Sequence, residues 1–189
     1  VRDAGFVPEP LMAEIDKDSS TTIYDFCQSK DRYHLDEIMA IASKAAQKDP
    51  KRITELVDNL KHEDPIVRYW SILGLRALGK EANSAIKDIE TALEDTEASV
   101  RINAMIALGN IGQLDKAVTL LINEAKGAST DAHANWALDG IKYLDAPKAI
   151  AGIDQKEVVR GGDSKRTFLH LANGGTMHQP AVYKELQYK

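Results

Sequence analysis

The segment DPIVRYWSILGLRALG (Asp64–Gly79) returns 33 residues later as EASVRINAMIALGNIG (Glu97–Gly112). Val67 and Val100, Arg68 and Arg101, Ile72 and Met105, Leu75 and Leu108, Leu78 and Ile111, and Gly79 and Gly112 fall in register. A degenerate third copy, STDAHANWALDGIKYL (Ser129–Leu144), reads one residue early, which puts Ala132 and His133 in the Val–Arg place. A period of this length marks stacked helical hairpins, because one such unit cannot bury its apolar face alone. Stacks of this kind offer a surface rather than a reaction centre.

Helix signals fit that frame. From His34 onward, Leu35, Ile38, Met39, Ile41, Ala42, Ala45 and Ala46 keep one apolar face until Asp49–Pro50 stops the pattern. A helix is expected over about 51–61, burying Ile53, Leu56, Val57 and Leu60. Asp64 and Pro65 supply a cap and a first-turn proline for the next one, and Gly79 ends it. Further pairs are expected over about 83–94 with 97–111, and 114–126 with 129–143. Ala77, Ala104, Ala107 and Ala137 are small enough to let neighbouring helices approach closely.

The flanks differ from the array. Residues 1–33 read as a strap, with apolar knots at Phe6, Leu11–Met12 and Ile23–Phe26 and a short helix at about 22–28. Residues 146–189 form an irregular tail; Val158–Val159 and Thr167–Leu171 suit short strands or segments laid over the end of the stack. A terminal piece that shields the last apolar face is what a repeat array requires.

Charge and composition narrow the function. The formal net charge is −5, without the basic stripe of a nucleic-acid binder, so no nucleic acid is expected as partner. No run approaches the roughly 18–20 apolar residues of a membrane span. The start, VRDAGFVPEPLMAEI, lacks the basic region and apolar core of a signal peptide; the absence of Met suits a piece cut from a longer protein. One cysteine, Cys27, excludes an intrachain disulfide framework.

Motifs for catalysis are weak. GGDSKRT (Gly161–Thr167) has the glycines of a phosphate loop but not its Gly-Lys-Ser/Thr ending. His170 and His178 have no carboxylate or thiolate companions nearby in sequence, so surface positions outweigh a metal site. Cys27 has no neighbouring base and reads as a buried thiol. No catalytic, cofactor-binding or metal residue is assigned. Arg68 and Arg101 suit bonds to carbonyls or acids between stacked hairpins. Tyr69 and Trp70 beside them are interface candidates, so Arg68, Tyr69, Trp70 and Arg101 form the candidate binding set, with packing on the adjoining hairpin as the alternative for Trp70. Trp136, aligned with Ser71 and Ala104, is expected to fill space near the end of the array.

The helix pair with its D-P-x-V-R opening and closing Leu-Gly resembles a HEAT repeat. RDAGFVPEP (Arg2–Pro10), the segment from Thr21 to Pro50 and HEDPIVRYWSILGLRALG (His62–Gly79) together resemble the carboxy-terminal region of bacterial arylsulfatase-like enzymes. The resemblance covers about residues 1–145, is most specific at Arg2–Glu9 and Val67–Trp70, and departs at His34, where that group carries Pro. It implies an all-α, HEAT-like right-handed α-solenoid of antiparallel helix pairs. Residues 1–33 would be a junction after a missing catalytic domain, 34–145 the repeat domain, and 146–189 a tail serving as cap. It also implies a non-catalytic accessory role, docking on the chain's own catalytic domain or on a protein partner, in the periplasm or secreted. The sulfatase C/S-x-P-x-R motif is not matched around Cys27, which Gln28, Ser29, Lys30 and Asp31 follow. The resemblance implies calcium only in the catalytic domain, and no cofactor in this chain. The alternative is a free-standing HEAT-repeat adaptor for protein–protein interaction.

Overall fold

The computed structural model describes residues 33–177, together with Lys17, Ser20, Thr22, Asp25 and Phe26. Among these residues the regular structure is helical, with no strand. They fall into two compact units divided between Arg101 and Ile102. Asp25 and Phe26 are helical, as expected near 22–28, while Phe6, Leu11, Met12, Ile23 and Cys27 lie outside the described residues.

The unit ending at Arg101 contains α1 (Leu35–Ala46), α2 (Ile53–Asn59), α3 (Pro65–Leu78), α4 (Ile86–Thr91) and the start of α5 (Ala98–Ile111). Asp64 explains where α3 begins: its carboxylate accepts from the Ile66 amide at 2.8 Å, and Pro65 takes the first helical position. Gly79, at φ 55°, ends the helix in a backbone region that side chains with a Cβ avoid. Both α1 and α2 pack on α3. Ile38, Ile41, Ala42 and Ala45 of α1 and Leu56 of α2 are buried with Ile66, Val67, Ile72, Leu75 and Leu78 of α3. Ile53, Val57 and Leu60, expected inside with Leu56, are half-buried. A Cβ on Gly74 would meet the Leu56 methyls at 3.0 Å and the Ala45 backbone at 3.2 Å, so α1 and α2 converge there.

The helix expected over 83–94 is broken into three pieces. A 3-10 stretch covers Gly79–Ala85, α4 follows, and Ala92–Glu94 returns to 3-10 winding. Asn83 and Ser84 are poor helix-interior residues, because their side chains compete for backbone partners. The tighter winding also eclipses positions three apart, which carries both Ala82 and Ala85 into the core at 0% and 1% exposure.

The unit from Ile102 holds the rest of α5, then α6 (Leu114–Gly127), α7 (Asp131–Tyr143), α8 (Gln155–Val158) and α9 (Gly162–Ala172). Helices α6 and α7 pair, α8 packs on α6, and α9 lies along α7. The strand reading of the tail is therefore overturned: Val158 closes α8, and Thr167–Leu171 belong to α9. Thr167, Phe168 and Leu171 form a narrow stripe buried on one side of α9.

The structure also corrects the third copy, which keeps the full 33-residue period. Thr130 caps α7 by accepting from the His133 amide at 3.2 Å, two periods after the Asp64 cap. Gln113 donates to the Leu108 carbonyl at 2.9 Å, and one period later Ala146 donates to Ile141 at 3.2 Å. Gly112 and Asp145, both at positive φ, sit at the same step. His133 therefore stands in the valine seat and Ala134 in the arginine seat. Ser71, Ala104 and Ala137 share one seat, each 0% exposed. Trp136 aligns with Trp70 and Asn103 instead, and at 37% exposure it does not fill interior space.

Candidate interaction surface

Four residues were singled out by the sequence: Arg68, Tyr69, Trp70 and Arg101. Arg68 donates from Nε and Nη2 to the two carboxylate oxygens of Asp95 at 2.7 and 2.9 Å. Its Nη1 reaches the carbonyls of His62 and Glu63, both at 2.9 Å. One period later, Arg101 Nη1 reaches the carbonyls of Asp95 and Thr96 at 2.7 and 3.0 Å. Asp95 therefore joins the two arginines: its side chain serves Arg68 and its backbone serves Arg101. The Asp95 carboxylate also takes the Glu97 amide at 2.9 Å. Of the bonds expected between stacked hairpins, the Arg68–Asp95 pair reaches the next hairpin, whereas the carbonyls that Arg68 and Arg101 meet belong to their own hairpins.

The Arg68–Asp95 pair is largely buried, with side chains 13% and 8% exposed. The hydrogen bonds that Arg68 donates to Asp95 push its pKa further upward, against the opposing effect of burial, so the guanidinium stays charged. Such a bidentate pair specifies geometry more than it adds stability, because desolvation offsets much of the Coulomb gain.

Trp70 is buried, at 8% exposure, and packs edge-to-face on half-buried Tyr69 with ring centroids 5.8 Å apart. Its indole Nε1 is buried without a hydrogen-bond partner. An unmet buried donor costs about 1–3 kcal/mol, which the burial of a large ring can carry.

The third hairpin lacks an arginine on its own second helix, and sequence reasoning missed what replaces it. Arg160, between α8 and α9, donates from Nε to the Ala128 carbonyl at 2.9 Å and from Nη2 to Lys126 at 2.7 Å. Ala128 is one period after Asp95 and two after His62. The same carbonyl seat thus meets a guanidinium in each hairpin, and the absence of any arginine from residues 131–143 was the available signal. Asp131 makes a second tie. Its carboxylate accepts from the backbone amides of Asp163 and Ser164, each at 3.0 Å, and from the Ser164 hydroxyl. These bonds, with the hydroxyl contribution largest, hold the Asp131 pKa below the ordinary carboxylate value. A Cβ on Gly161 would lie 2.5 Å from that carboxylate, so only glycine permits the approach. Two amides of GGDSKRT, those of Asp163 and Ser164, are accordingly engaged by the chain's own acid.

Remaining candidates resolve individually. His133 Nε2 lies 2.9 Å from Glu124 Oε1, with both side chains nearly buried. His170 Nε2 lies 3.3 Å from the Thr176 carbonyl, while His178 is outside the described residues. Among the described residues no three His, Cys, Asp or Glu side chains gather to hold a metal ion, and no helix is long and apolar enough to cross a membrane. An open groove of about 800 Å³ in the second unit is floored by Leu114, Val118, Ile122 and Pro147.

No curated protein matches the chain. Residues 53–142 match the family described as HEAT repeats, and with the helical pairs seen here that match supports a HEAT-repeat region that takes in the first two copies of the motif and most of the third.

Proposed function

We propose that this chain is a non-catalytic helical-repeat module that binds protein, and that its partner is the catalytic domain of a sulfatase-like hydrolase. The observation that carries the interaction role is the HEAT-repeat region at residues 53–142, since arrays of this kind commonly mediate protein–protein contact. The finer identity of the partner rests on the Arg2–Glu9 junction word and the Val67–Trp70 helix opening. Tyr69 is the proposed contact, backed edge-on by Trp70, while Arg68 ties the His62–Glu63 carbonyls to the Asp95 carboxylate and Arg101 holds the Asp95 and Thr96 carbonyls. In this reading the calcium and the reacting groups belong to the catalytic domain, and the whole protein works in the periplasm or outside the cell.

The test is to read the gene upstream of the codon for Val1 and, where a C/S-x-P-x-R motif is encoded there, to cross-link the purified full-length protein. Cross-links from the Lys61–Lys80 region to the catalytic domain support the proposal. An upstream sequence without that motif removes the sulfatase part and leaves the adaptor reading, in which the partner is a separate protein.

A further inference from the structure

We draw no further inference here: the strongest candidate, the apolar groove between α6 and the Pro147–Ile150 turn with Asp115, Asp145 and Lys148 around it, carries nothing because nothing in the structure shows what covers it.

Discussion

Arg160 donates to the Ala128 carbonyl at 2.9 Å in the seat that Arg101 fills for Asp95 one period earlier. The need behind both contacts is the same. The last carbonyls of a helix have no partner within it and carry the negative end of its dipole, so a planar guanidinium satisfies them well. Where the repeat supplies an arginine from its second helix, the seat is filled from within the hairpin. Where that position is Ala134, the following segment delivers the group.

Replacing Arg68 by Met leaves the Asp95 carboxylate largely buried without its cation. Loss of one partner of such a pair costs about 3 kcal/mol. Urea unfolding followed by Trp fluorescence should show the midpoint fall. The double change with Asp95→Asn should cost less than the sum of the single changes, because the two side chains share one interaction. Additive costs would show that Asp95 acts mainly through its bond to Glu97.

Asp145 adopts φ 53° at the step where the preceding copies have Gly112 and Gly79. A left-handed conformation costs a residue with a Cβ about 1 kcal/mol relative to glycine. Asp145→Gly should therefore raise the melting temperature, read by circular dichroism. A fall would mean that contacts of the Asp145 side chain outweigh the backbone strain.

Acid should loosen α9 through Asp131. Its folded pKa lies below the ordinary value of 3.8, so the contribution is present above that pH and is lost as pH falls through the folded value. Stability of the α7–α9 contact should drop below about pH 3.8 and stay level above it as far as this group is concerned. Asp131→Asn should flatten that part of the acid profile, measured by intrinsic fluorescence of Trp136. An unchanged profile would assign the acid sensitivity to other carboxylates.

Tyr69→Ala should weaken binding of the proposed partner about tenfold, as aromatic interface anchors do, while the melting temperature moves little because Tyr69 is only half-buried. A surface-plasmon titration reads the first and calorimetry the second. Equal affinity for both proteins would place the contact elsewhere.

Most of the array was legible from local signals. Asp64–Pro65 and Gly79 bounded α3, and the apolar period located α5, α6 and α7. Other parts were not, among them the break of the 83–94 helix into three pieces. His133 looked like a worn arginine, and only the Thr130 cap and the Ile141–Ala146 turn reveal that the arginine seat holds Ala134. Helix α9 begins at a glycine pair, buries a narrow stripe, and takes its cap from Asp131, more than thirty positions away. No window along the chain contains that cap. The interface candidates were legible only as residue types: for Trp70 the sequence left an interface anchor and packing on the adjoining hairpin both open, and the ring is buried.

The repeated guanidinium seat is tested most directly by amide hydrogen exchange on Arg160→Leu. Removal of two charge-assisted bonds at this seat should speed exchange of the Lys165–Leu171 amides by at least about tenfold, with the amides of α2 and α3 unchanged. Unchanged exchange in Lys165–Leu171 would contradict the claim that Arg160 completes the third hairpin.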